Sequence, residues 1–281
     1  MDIKQIDEQV FAKPWFHGVG DEEKRWLCWL LEADAKDRRK YFEAMPKVEI
    51  RSPAGQGERD LLCGAWAYRG RGELVGICGA SAYAIAHFPL ELPILTFLYD
   101  HIADESHHSV EMIEWAGHYN RGKRYWEADP EWEGRWGDGQ LRSLPLKEGQ
   151  GWLDYLLYML PIETGAGLGI RPYDLFKIQL KELAAFAEDR IHSDEAQHFM
   201  FFMLSARRAL QKDDQRAEFG KRLADIYRRN IRMIATARMK MWDELFIPKL
   251  GADATFVHNI PEMRTQRYQF ILNALEISEK L

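Results

Sequence analysis

Two short segments, Asp104-Glu105-Ser106-His107-His108 and Asp194-Glu195-Ala196-Gln197-His198, hold the residues best suited to chemistry. Both read D-E-x-x-H, and each is preceded by a glutamate, Glu73 or Glu163, with 30 residues between glutamate and aspartate. Every element of the first set recurs 90 positions later. In a helix, residues three apart lie about one turn apart on one face. Glu105 with His108, and Glu195 with His198, can therefore each aim a carboxylate oxygen and an imidazole nitrogen at one point. Glu73 and Glu163, from partner helices, would bring the inventory to four carboxylates and two histidines, a set that helix bundles use to hold two iron or manganese ions. Oxygen donors with imidazoles suit iron, with manganese as the alternative, better than softer metals. Asp104 and Asp194 fit a supporting role, holding a histidine ring by the nitrogen that does not face the metal. Chance supplies one DExxH in roughly one chain of this length in a hundred, so two with matched upstream glutamates are not a solvated helix face.

Such a site needs helices to position it. A helical period with charges on the opposite face covers 21–44, and a second helical region spans about 60–87, with Gly70 and Gly72 as candidate breaks. The PLELP turn returns the chain into a third helix over about 94–119. The stretch 121–150 is polar, rich in Gly, Pro and Trp and without sustained period, and reads as a long crossover in which Trp126, Trp132 and Trp136 cover the bundle or a pocket. Helical pattern resumes at 151, is disturbed by GAGLGIRPYD, continues over about 175–210, and returns over 215–246 and 261–281. No segment alternates as strands do. The expected fold class is all-α: one ferritin-like domain over 1–281, a four-helix bundle with additional N- and C-terminal helices, whose metal-binding pairs lie at about 60–120 and 151–211. One mismatch remains. Pro89 is midway between Glu73 and Glu105, whereas Pro172 lies only nine residues after Glu163, which predicts a kink or irregular stretch around 169–174.

Composition excludes several function classes. With 281 residues, 46% apolar and 29% charged, the chain can build a sizeable core and is not disordered by default. Its net charge of −6 gives no reason to bind nucleic acid or anionic membrane. The most apolar stretch, 74–99, is interrupted by Pro89, Glu91 and Pro93 after about fifteen residues, too few to cross a bilayer of about 30 Å. Cys28, Cys63 and Cys78 form no CxxC pair, which argues against a disulfide framework, a thiolate zinc site and a protein-held iron–sulfur cluster. The first residues lack the basic and apolar regions of a signal peptide, so a cytoplasmic location is expected. Gly165-Ala-Gly-Leu-Gly169 follows a helix instead of a strand and lacks the nucleotide-loop spacing.

The pattern E-x30-DExxH, present twice, resembles the ferritin-like di-iron carboxylate oxygenases, especially the arylamine N-oxygenase type. The resemblance covers residues 73–198 and is specific for the metal site but not for the substrate. It implies two iron ions held by Glu73, Glu105, His108, Glu163, Glu195 and His198, with O2 as co-substrate. It also implies a small-molecule or carrier-bound substrate, oxidised by N-oxygenation or hydroxylation, although desaturating and epoxidising families look similar at this level. Electrons would come from a separate reductase or ferredoxin, and a homodimer is allowed for. That family type carries an extra histidine ligand four residues before the second motif's glutamate. Here that position is Ile191, and His192 is one residue off. His101 stands four before Glu105 and is the other candidate for an extra ligand, although a packed, hydrogen-bonded core histidine is the expected reading. Gly76, Gly79 and Ala80 leave room near Glu73, while Arg228, Arg229 and Arg232 read as a solvated face, with docking of an acidic carrier or electron donor as the alternative. The other functions in view are a ferroxidase or iron-storage protein and a ribonucleotide-reductase-like radical generator. The latter would have a tyrosine one turn after a ligand histidine, where this chain has Met112 and Phe202.

Overall fold

Three acidic residues, Asp21, Glu22 and Glu23, open the first helix, where the exposed N–H groups favour negative charge. This helix, α1 (Asp21–Ala44), turns Leu27, Leu30, Leu31, Asp34, Asp37 and Tyr41 inward at helical spacing. The computed structural model describes residues 13–119, 146, 148–166, 176–180, 191–211 and 213–281, and at 42, 165–166, 191–195 and 213–214 the backbone alone. Within these the chain is helical, with an isolated parallel bridge between Arg51 and Ile178 and no strand. No helix of the described residues is long and apolar enough to cross a membrane.

Helix α2 runs through Gln56–Gly72, a π-helical stretch Glu73–Cys78, and Gly79–His87. The glycines do not break it, contrary to the expectation at Gly70 and Gly72. Gly70 is there because α3 (Leu92–Tyr119) comes very close: a Cβ at Gly70 would stand 2.8 Å from the Ser109 carbonyl oxygen, and Ser109 Oγ donates to the Gly70 carbonyl at 2.6 Å. This contact fixes the register between Glu73 and the ExxH segment of α3. Gly70→Ala should therefore cost about 1–3 kcal/mol despite the better helix propensity of alanine, since a backbone carbonyl cannot yield as a side chain can. Urea unfolding of wild type and variant checks this, and an unchanged midpoint would contradict the close approach.

The second pair consists of α4 (Trp152–Ala166) and α5 (Ile191–Ala209), which pack on each other. Helix α5 also touches α3, and the end of α2 touches α4, so the two pairs share one interior. Outside them lie α6, α7 (Ala254–His258) and α8 (Ile260–Ala274). Helix α6 begins as Asp213–Met233, includes π-helical stretches at Ile234–Arg238 and Trp242–Phe246, and continues to Leu250, where Gly251 at φ 69° ends it. Both α6 and α8 pack against α4, and α1 packs against α5 and α8.

Two expectations from helical periodicity are corrected. Residues 176–180 are not helical and so do not begin a helix over 175–210: Lys177 and Gln179 bond the backbone of Arg51, and Ile178 N–H donates to Leu250 O. Phe176 and Ile178 are buried there, so their apolar spacing marks packing against α6, not a helical face. The last helix stops at Ala274 instead of reaching Leu281, and Glu276 takes a positive φ of 56°. The crossover tryptophans Trp126, Trp132 and Trp136, and the kink expected over 169–174, lie outside the described residues.

Candidate metal centre

Helices α2 and α3 each pass from one apolar cluster to another: on α3, Phe97 belongs to the first and Met112 to the second. Between these two residues lie His101, Glu105 and His108, all buried and all on one face by their spacing of four and three. Glu73 arrives from the π-helical stretch of α2, a local widening that recurs at functional sites. Glu163 comes from α4 and His198 from α5, both buried. Six charged or chargeable side chains in a dry interior are costly unless each meets an opposite charge or a cation.

Their donor atoms fall into two groups, each within 4.8 Å: His101, Glu105, Glu163 and His198 form one, and Glu73, Glu105 and His108 the other. Glu105 belongs to both. In the first group His198 Nδ1 lies 3.1 Å from Glu105 Oε1 and 3.6 Å from Glu163 Oε2, and His101 Nε2 lies 3.2 Å from Glu163 Oε1. In the second, His108 Nδ1 lies 3.6 Å from Glu105 Oε2, and Arg69 on the preceding turn holds Glu73 Oε1 at 3.2 Å. No family model, curated protein or solved structure matches this chain. The site is read from its own geometry.

The residues fit a metal on two grounds. His198 Nδ1 is buried and makes no hydrogen bond of acceptable geometry, although two carboxylates face it. The donors are carboxylates and imidazoles only, a set suited to iron or manganese. Cys78 points elsewhere, with Sγ near Ile102 O and Ser106 Oγ, and burial pushes its thiol pKa up. Without a cation the charges compensate one another. Burial alone would raise Glu105, but the close imidazoles of His108, His198 and His101 hold it well below the usual carboxylate range. Glu163 is lowered in the same way by His101 and His198 against its burial. Burial would lower His198, yet Asp104, Glu105 and Glu163 raise it well above an ordinary imidazole.

Asp104 stands where a supporting aspartate is expected, but across the helices: its Oδ2 is 3.4 Å from Nε2 of His198, the histidine of the other motif. The ring is thereby turned so that Nδ1 faces Glu105 and Glu163. Asp104→Asn should weaken ferrous iron binding about tenfold to a hundredfold while leaving helix content unchanged. Competition with a coloured chelator measures this, and equal affinity would mean that Asp104 does not orient the ring.

His101 is packed as a core histidine and also joins the donors. Its ring stacks on Phe97, with centroids 5.4 Å apart, and its Nδ1 meets Ser81 Oγ at 3.2 Å while Nε2 faces Glu163. Ser81 Oγ in turn is 2.9 Å from Tyr155 OH. The side chains of Glu195, Asp194 and His192 lie outside the described residues, although their backbone is the first turn of α5. Ser81, Tyr155 and Arg69 did not stand out in the sequence. Arg69, four residues before Glu73 on one helix face, was legible as an ion pair, whereas Ser81 and Tyr155 carried no local signal.

Proposed function

We propose that this chain is an O2-activating, non-haem di-iron oxygenase built on a ferritin-like bundle, oxidising an organic substrate by N-oxygenation or hydroxylation. The reading is carried by one observation: Glu105 belongs to two buried carboxylate–histidine groups at once, as a ligand bridging two ions does. By this reading Glu73, Glu105 and His108 would hold one ion. Glu105, Glu163 and His198 would hold the second, with His101 added and Glu195 assigned by its motif alone. Two ferrous ions there would supply electrons to reduce O2.

The chain's own side chains supply orientation, dryness and a proton. Phe97 and Phe202 wall the second group, with ring centroids 5.4 and 5.5 Å from that of His101, and exclude water from the reacting oxygen. With Nε2 of His101 among the donors, the line His101 Nδ1, Ser81, Tyr155 can hold a proton at Nδ1 or Ser81 Oγ and pass it along hydrogen bonds. Met112 and Phe202, both fully buried, occupy the positions one turn beyond the histidines, which supports an oxygenase over a tyrosyl-radical generator.

Ferrous loading under anaerobic conditions, then exposure to labelled O2 with candidate amines, aromatic acids and carrier thioesters, tests the reading. Label in the product is expected. Growth of a ferric mineral with many irons per chain would establish storage instead, and a persistent radical signal by electron paramagnetic resonance would establish the radical generator.

A further inference from the structure

A cavity of about 670 Å³ lies between α2, α4, α6 and α8, within the size range of small-molecule sites. Five arginines line it: Arg69, Arg222, Arg229, Arg238 and Arg264. Asp154 is the only carboxylate that lines it among the described residues, and it is already engaged by Arg222 and by the Gly151 N–H. Arg238 Nε is buried there without a hydrogen-bond partner. Burial first, and then the charges of Arg238 and Arg267, pull Arg264 below the ordinary guanidinium value, although Tyr268 opposes this. Arg222 and Arg229 are exposed and Arg69 is paired with Glu73, but holding Arg238 and Arg264 close together and largely out of water is costly unless an anion neutralises them.

The cavity also adjoins the metal centre. Arg69 lines it and holds Glu73. Tyr158, another lining residue, donates its hydroxyl to the carbonyl of Gly76, three residues beyond Glu73. Of the arginine cluster noted in the sequence, Arg228 faces Asp225 and Glu279, and Arg229 and Arg232 are exposed as on a solvated face, with Arg229 also at the border of the cavity.

From this placement we infer that the cavity binds the substrate of the proposed oxygenase by an anionic headgroup, a carboxylate or a phosphate. Arg238 and Arg264, with Arg229 about two and a half turns before Arg238, grip the headgroup, and the apolar wall carries the rest of the molecule. Arg222, about 24 Å from Arg238 along α6 and held by Asp154, borders the far end of the cavity. The inference rests on the oxygenase reading for the word substrate, but not for binding itself.

Calorimetry on the metal-free, full-length chain separates the two. Benzoate and phenyl phosphate serve as probes, with benzamide as a neutral control of similar shape. At least one anion should bind saturably, at least about tenfold more tightly than benzamide, and Arg238→Gln should weaken it about tenfold or more, as loss of a charge-assisted hydrogen bond does. Arg229→Gln should weaken it in the same direction. Arg229 is exposed, so this variant decides the matter even if Arg238→Gln fails to fold. Preference for one anion names the headgroup. The proposal is overturned if neither anion binds, if benzamide binds equally well, or if anion affinity is unchanged in Arg229→Gln and in a folded Arg238→Gln. Anion binding without label transfer from O2 in the iron-loaded protein would leave the cavity assigned and overturn the oxygenase reading alone.

Discussion

Replacing Glu105 with alanine should reduce iron uptake from about two ions per chain to at most one weakly held ion, because this carboxylate serves both donor groups. The folded chain should survive the change. Glu105 is one of three described carboxylates in the cluster, and its loss relieves repulsion with Glu73 and Glu163 but opens a small cavity and takes a partner from His108 and His198, so the metal-free protein should be somewhat less stable. The larger difference appears with metal. Ferrous or manganous ion at about a hundredfold excess over its dissociation constant should stabilise wild type by about 2.7 kcal/mol per site, and the alanine variant by far less. Elemental analysis after gel filtration, paired with thermal melts with and without metal, measures both effects. Two ions retained in the variant would remove Glu105 from the bridging role and the di-iron reading with it.

Arg267→Leu should cost about 3–5 kcal/mol of folding free energy, the largest stability effect expected from a single change in this chain. Arg267 is fully buried on α8. Its guanidinium pairs with Asp34 and, at 3.2 Å, with Asp37, both buried on α1. Its Nε donates to the carbonyl of Thr164 at 3.0 Å, next to Glu163 on α4. Pro161 lies inside that helix and removes one of its backbone donors, and Tyr268 reaches the Pro161 carbonyl from α8. The arginine thus joins three helices and supports the stretch that delivers Glu163. Without it two aspartates are left buried, with Arg38 the remaining partner of Asp34 and Lys40 that of Asp37. Urea unfolding measures the loss. Combining Arg267→Leu with Asp34→Asn should recover part of it, because the stranded charge is the main cost. A loss below about 1 kcal/mol in the single variant would show that the buried network contributes little.

The two DExxH segments and their matched glutamates could be read from one line of sequence because helical spacing is local. Positions three and four apart meet on one face whatever surrounds them, which is why Glu105 with His108, and Arg69 with Glu73, required no tertiary information. The all-helical class was legible for the same reason. Helical periodicity failed at Phe176–Ile178, where apolar residues are buried by a non-helical segment against Arg51 and Leu250, because burial pattern alone does not distinguish a short strap from a helix turn. What joins different helices was decided only in three dimensions. Asp104 supports His198 and not a histidine of its own motif, and His101 turns to Glu163. Arg267 links α8 to both α1 and α4, and arginines from α2, α6 and α8 meet around one cavity. Each of these depends on the register and closeness of packed helices, set at contacts such as Gly70 against Ser109. That information is distributed over whole interfaces and leaves no short motif in the chain.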